Sequence, residues 1–255
     1  MQRIVTRLVM PTGYSLIELV VVIVIVGIIA TVGIRSLHSA GETAKAEETK
    51  KELDQLAWAV AGRPDLRSGG QRIDFGYVGD VGSLPPNLDA LVTNPGGYTT
   101  WAGPYIRDEF QLTDTSASSE FKADAWGDAY TYSGGIMISS TGSGSTITRQ
   151  IASSVDDLLR NTVSTVITDL DHTPPGNLYR DSVSVVLTYP DGAGALTTRT
   201  QNPSANGYVI FDSIPIGSHQ LQIVYVPDND TLRRRVMVEP GSACFVEVNL
   251  FKDAW

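Results

Sequence analysis

Cysteine is all but absent from this 255-residue chain. Cys244 stands alone, so no internal disulfide can form and the fold must rest on packed cores. Histidine is nearly as scarce, and His38, His172 and His219 are scattered with no metal-ligand spacing. Positive charge is the third shortage: 19 lysines and arginines face 28 aspartates and glutamates, a formal charge of −9. A nucleic-acid binder needs a basic face, so nucleic acid is not expected as the main partner. No serine, cysteine or acid pair stands in a recognisable catalytic motif, and no enzyme is expected.

What the chain does have is one long apolar run, GYSLIELVVVIVIVGIIATVGI, at residues 13–34. Residues 14–34 would span about 31 Å as a helix, enough to cross a hydrocarbon core. Inside that run sits a single carboxylate, Glu18. A charge at bilayer depth costs about 2.5–3.5 kcal/mol on the mildest scale, so such a residue is normally partnered and functional. The preceding segment carries Arg3 and Arg7 and no acid, as expected of an N-terminus held on the cytoplasmic side. No A-x-A-like cleavage site follows the run. The sequence continues without proline, and Leu53, Leu56, Ala57 and Val60 recur at helical spacing, so the helix is expected to leave the membrane and run on amphipathically. On physical grounds alone a plain signal-anchor helix fits equally well.

The segment Gly13-Tyr14-Ser15-Leu16-Ile17-Glu18-Leu19 resembles the type III signal of type IV pilins and pseudopilins. That resemblance implies cleavage after Gly13 by a prepilin peptidase, N-methylation at Tyr14, and a filament-assembly role for Glu18. It also implies partners: other copies and pilin-like subunits, an inner-membrane assembly platform and its ATPase. The physics agrees, since a carboxylate in a water-free filament core can pair with a neighbour's terminal ammonium, and deleting one partner of such a pair costs about 3–5 kcal/mol. One departure stands out. Many relatives kink the helix with a proline near position 35, where this chain has Arg35. A less kinked stem is expected, with Arg35 at the periplasmic membrane edge.

Residues 62–150 narrow the resemblance to the major pseudopilins of type II secretion. The blocks are Leu84-Pro85-Pro86-Asn87-Leu88-Asp89-Ala90-Leu91-Val92, Trp101-Ala102-Gly103-Pro104-Tyr105-Ile106 and Asp124-Ala125-Trp126-Gly127-Asp128-Ala129-Tyr130-Thr131-Tyr132. Their aromatic residues are expected to anchor a small antiparallel sheet on the stem. Relatives bind calcium in a following loop, but residues 133–148 contain no carboxylate here, whereas calcium wants six to eight oxygens, several of them charged. Asp124 and Asp128 remain weak candidates, with Asp114 nearby, and no metal or other cofactor is expected.

Residues 151–175 read as a connector whose first half could form a short helix or strand and which Pro174-Pro175-Gly176 stops. From residue 176 to 255, alternating strands and turn signals suggest an all-β sandwich. The run Asn206-Gly207-Tyr208-Val209-Ile210-Phe211-Asp212-Ser213-Ile214-Pro215-Ile216-Gly217 resembles carboxypeptidase-regulatory-like, transthyretin-like domains, which implies a fold and no particular function. No lysine occurs between Lys122 and Lys252, so the first strand cannot supply a Lys–Asn isopeptide bond. Arg233, Arg234 and Arg235 form a basic spot best read as a solvated strand edge.

The expectation is therefore an α+β chain. A leader (1–13) precedes a membrane and stem helix (14–61), a pseudopilin-like head on a small sheet (62–150), the connector, and the sandwich. It would be a single-pass protein of the bacterial inner membrane with its soluble part in the periplasm or on a filament. The function expected is a structural pseudopilin of a type II secretion-like system. The alternative is a surface pilin or minor tip subunit whose sandwich binds a ligand or surface.

Overall fold

The structure, a computed structural model, describes residues 13, 15–106, 120–250 and 252–255. Arg3, Arg7, Tyr14 and Asp114 lie outside the described residues. Two compact units divide the chain, with the boundary between Glu47 and Glu48.

One helix dominates the first unit and runs on into the second: α1, Leu16–Ala61, 46 residues without a break. Neither Gly27, Gly33 and Gly41 nor Arg35 interrupts it, as expected of a stem lacking an internal proline. It is long and apolar enough to cross a membrane. The apolar side chains in its first half are all exposed, from Leu16 to Leu37. In the last turns the pattern becomes amphipathic, and Leu53, Leu56, Ala57, Ala59, Val60 and Ala61 are buried.

The second unit opens with a short hairpin, β1 (Arg67–Ser68) with β2 (Gln71–Arg72), and helix α2 (Gly76–Val81). The chain reverses after α1 at Gly62, whose φ is +78° and where a Cβ would collide with the Asp74 carbonyl, so only glycine fits. The Arg72 guanidinium, nearly fully buried, donates to the Ala61 carbonyl at the end of α1 and to the Asp74 carbonyl at 2.8 Å. A cation there complements the negative end of the helix. A one-turn helix over Leu88–Leu91 is N-capped by Asn87, whose Oδ1 accepts from Ala90 N at 3.2 Å. Strands β3 (Thr131–Ser133), β4 (Met137–Ser140) and β5 (Ile147–Gln150) then form an antiparallel sheet in that order. Ile138 of β4 is fully buried in one core with Leu53, Leu56, Val60, Tyr77, Val78 and Leu91.

Helix α3 (Val155–Leu159) starts from a full capping box: Ser154 Oγ accepts from Asp157 N, and the Asp157 carboxylate accepts from Ser154 N. Asn161–Thr168, inside the stretch expected to be a connector, is strand β6. It is the middle strand of a sheet, because Val163, Thr165 and Ile167 alternate inward and are buried. A short helix α4 (Gly176–Tyr179) leads to β7 (Val183–Pro190), β8 (Leu196–Gln201), β9 (Tyr208–Ile214), β10 (Gly217–Tyr225), β11 (Asp230–Val238) and β12 (Ala243–Asn249). One sheet has the order β11-β10-β7-β8 and the other β12-β6-β9, where β12 runs parallel to β6. Between them lies a second core built on Val185, Leu187, Phe211, Leu221, Ile223, Val236 and Val248.

The head and the sandwich are packed together. Ile216 and Met237 join the head core. Gly192 N donates to the Val81 carbonyl at 2.9 Å, and Thr99 N to the Gly194 carbonyl at 2.8 Å. At Gly82, left-handed with φ +80° as the C-cap of α2, a Cβ would strike the Pro190 carbonyl. Arg67 closes the junction with a bidentate pair to Glu239, at 2.9 and 2.8 Å.

Candidate functional site

Glu18 occupies the third position of α1, and Ser15 precedes the first. The sequence Ser15-Leu16-Ile17-Glu18 is thus a capping-box pattern. One half of that box is present: the Glu18 carboxylate lies 3.5 Å from Ser15 N, at the long limit of a hydrogen bond. Ser15 O accepts from Glu18 N at 3.0 Å and from Leu19 N at 3.1 Å, which starts the helix. An acid in the first turn also meets the positive end of the helix dipole. Glu18 is exposed, and so are Ile17, Leu19, Val20 and Val21 beside it. An apolar helix with no cover from its own chain, bearing one acid at its head, is chemically suited to bury that acid against another molecule. Gly13 is described, while Tyr14, the other cleavage-site residue, lies outside the described residues.

The three sequence blocks of the head converge on the lower stem. In the first, Leu88, Ala90 and Leu91 are buried. In the second, Trp101 Nε1 donates to the Ala90 carbonyl at 2.9 Å, and Tyr105 stacks edge-on against both Trp101 and Tyr77. The Tyr105 hydroxyl donates to Asp80 at 2.9 Å, and burial pushes both groups' pKa values up. In the third, Ala125 N donates to Thr49 Oγ1 of α1 at 3.2 Å, and the Tyr130 hydroxyl donates to Glu52 at 2.5 Å. Burial and then the Glu52 carboxylate raise the Tyr130 pKa, which keeps it a donor. Arg149 of β5 pairs with Asp54 at 2.9 Å. Thr49, Glu52 and Asp54 therefore clamp the stem to its head. Helical spacing marked the apolar face but not these polar contacts, whose only sequence trace is a threonine within the amphipathic turns.

No family model matches this chain. A curated relative does: the type II secretion system core protein G of Xanthomonas campestris pv. campestris, 36% identical over 96 residues. The N-terminal part of the chain is pseudopilin-like. The match covers 37% of the chain and spans only 57% of that relative's own length. Among solved structures, the chain overlaps the Bacillus anthracis TIE protein at a TM-score of 0.31 and 10% identity, over 37% of this chain and 17% of that one. It overlaps a streptococcal ancillary pilin at 0.27 and 14% identity, over 42% and 40%. A putative carbohydrate-binding protein of Pseudomonas aeruginosa scores 0.24 at 15% identity, over 36% and 90%. Overlaps this loose carry no argument about function.

In the head, Asp124, a weak candidate for a calcium ligand, organises the loop around it. Its Oδ1 accepts from Trp126 N at 3.0 Å and Asp128 N at 2.9 Å, and its Oδ2 from Ser140 Oγ at 2.5 Å and Gly142 N at 3.2 Å. Burial pushes its pKa up, but these donors together outweigh it and hold the carboxyl below its ordinary value. A carboxylate already engaged on both oxygens has little to give a cation. Asp128 is exposed, and among the described residues no group of three or more acids, histidines and cysteines is assembled. Among the described residues, the donors around Asp124 do not fit calcium.

Cys244 is half-buried, and burial raises its thiol pKa. His219 is buried against the Pro215 carbonyl at 2.7 Å, and His172 contacts Asn249 at 3.1 Å. The structure brings none of these histidines together among the described residues. Arg233, Arg234 and Arg235 lie on β11, an edge strand, all exposed. Arg234 follows the inward register of Leu232 and Val236, and an inward-facing charge at an edge discourages strand addition.

Proposed function

We propose that the chain is a structural subunit of a type IV pilus-like filament, a pseudopilin of a type II secretion-like system. A prepilin peptidase cuts after Gly13 and methylates Tyr14. The subunit then waits in the inner membrane as a single-pass protein until a platform and its ATPase pass it into the filament. There Glu18 is buried against the N-terminus of a neighbour and sets its register. The head and sandwich face the periplasm, without catalysis and without a bound cofactor.

One observation carries this reading. Glu18 heads a long apolar helix that its own chain leaves uncovered, in the part of the chain that is 36% identical to a type II secretion core protein. Mass spectrometry of sheared and envelope fractions tests it. A processed N-terminus at Tyr14 in envelope-bound filaments supports the reading. An uncut N-terminus means a plain signal anchor and ends it.

A second reading is favoured by the exposed outer side of the β12-β6-β9 sheet, where Tyr208, Ile210 and Phe245 lie open. In it, the subunit belongs to a surface pilus or its tip, and the sandwich holds a ligand. Processed protein in the sheared fraction would select this alternative.

A further inference from the structure

The two outer faces of the sandwich differ in chemistry. On the β11-β10-β7-β8 sheet, two rows cross the strands in register: Arg233, Gln222, Val186 and Thr200, then Arg235, Gln220, Thr188 and Thr198. None of these is acidic. Several other cations in this acidic chain are compensated: Arg63 by Asp65, Arg67 by Glu239, Arg149 by Asp54, Arg199 by Asp212 and Lys252 by Asp228. Arg235 reaches only Ser218 Oγ, at 3.1 Å, and Arg233 has no ion pair among the described residues.

The outer face of the β12-β6-β9 sheet is the converse. Its rows are Tyr208, Val166 and Glu247, then Ile210, Ser164 and Phe245. It carries an acid and no base. Tyr208 is 51% exposed and Ile210 56%, neighbours on β9, and Phe245, 57% exposed, lies across Ser164 of β6 from Ile210. Guanidinium groups on one face and aromatic rings with a carboxylate on the other are the partners of cation–π and ion-pair contacts. Arginine and large aromatics are also the residue types enriched at protein interfaces.

We propose that the Arg233–Arg235 face of one sandwich docks on the Tyr208–Phe245–Glu247 face of the sandwich in a second copy of this chain. The contact uses different surfaces on the two copies, so it is heterologous and, repeated along stacked stems, can extend as a filament requires. It rests on the filament reading above and adds a site outside the stem. The eight residues of one pair of rows and the six of the other are fewer than the roughly 20–30 residues a side of a stable complex. The contact therefore acts only once stem packing has raised the effective concentration of neighbours.

Cysteine crosslinking of the full chain in its own membranes tests the contact. In a Cys244→Ser background, Arg233→Cys with Glu247→Cys should give a ladder of multimers on oxidation, and neither substitution alone should. Adding Arg235→Glu should cut the ladder by roughly tenfold, since the one guanidinium left to meet the Tyr208 and Phe245 rings is lost and a carboxylate is set against their negative faces. Filaments of the wild-type chain are scored in parallel. Filaments without a ladder overturn the contact and leave the filament reading standing; neither filaments nor a ladder overturns both. Dimers from a single cysteine would show like faces pairing, which also overturns it. So would Arg233→Glu with Arg235→Glu leaving the filaments intact while abolishing retention of an anionic polysaccharide such as polygalacturonate, since the face would then belong to a glycan.

Discussion

The two halves of α1 are one continuous helix in opposite circumstances. In the first half the helix is apolar all round and every large apolar side chain is exposed. In the last turns apolar residues keep to one face, lysines and glutamates take the other, and the apolar face is buried in the head. An amphipathic stripe finds its partner within the chain, whereas an all-round apolar surface needs lipid or other helices. Under the filament reading proposed above, assembly and stability fall to different stretches of one element.

Glu18→Ala should sharpen that division most. It is expected to leave cleavage after Gly13 intact and to abolish incorporation into filaments, read by fractionation and immunoblot. Normal filaments containing the variant would break the division at its head. The thermal midpoint of the detergent-solubilised chain should not move. Leu56→Ala should do the reverse: a cost of about 2–5 kcal/mol, the range for a fully buried leucine, seen as a lower midpoint. Ile23→Ala, in the exposed half, is the control and should leave that midpoint unchanged.

Smaller effects test how the lower stem is held. Tyr130→Phe removes the bond to Glu52 at half-buried depth, and a loss of about 1–3 kcal/mol is expected for a hydrogen bond to a charged group. Calorimetry should also show the Tyr130→Phe and Glu52→Gln losses to be less than additive, because each breaks the same contact.

Acidification compares the head with the sandwich. Burial depresses the His219 pKa below its ordinary 6.5, partly offset by the Pro215 carbonyl. The folded state then holds the ring neutral while the unfolded chain would protonate it. Its stabilisation is complete above pH 6.5 and declines as pH falls toward the folded value. Asp124 is also depressed, from 3.8, so its contribution is present above pH 3.8 and fades only below it. Thermal melts against pH should show the sandwich step first, and His219→Gln should flatten it while leaving the Asp124 step in place.

Least of all, Arg67→Ala should move the thermal midpoint only slightly, because the Arg67–Glu239 pair is exposed to water and screened by salt. A much larger loss in the same melts would mean that this pair, and not the shared apolar core, holds head to sandwich.

Much of this was legible in order along the chain. Periodicity alone placed the stem, and alternation with turn signals placed each strand from β7 to β12. What it left open was β6, in a connector whose first half could form either a short helix or a strand. Asn161-Thr162-Val163-Ser164-Thr165-Val166-Ile167-Thr168 alternates, but Thr165 is an inward residue with a hydroxyl, which reads as polar. Only the fold shows that hydroxyl donating to the Val246 carbonyl at 2.8 Å and so tolerated in the core. Asp124 looked like a metal candidate because sequence counts carboxylates; tertiary contacts from Ser140 and Gly142 decide that both its oxygens are already used.

The sequence by itself determined the long apolar helix, the position of its one acid, the amphipathic switch along the stem and the succession of strands from β7 to β12. All of these are set by hydrophobic period or by a residue's place in a local pattern. Tertiary structure alone decided that β12 lies parallel to β6, that the head and sandwich share a core, and that the sandwich's outer faces carry opposite chemistry. Each of those depends on which distant residues become neighbours, and no local period encodes that.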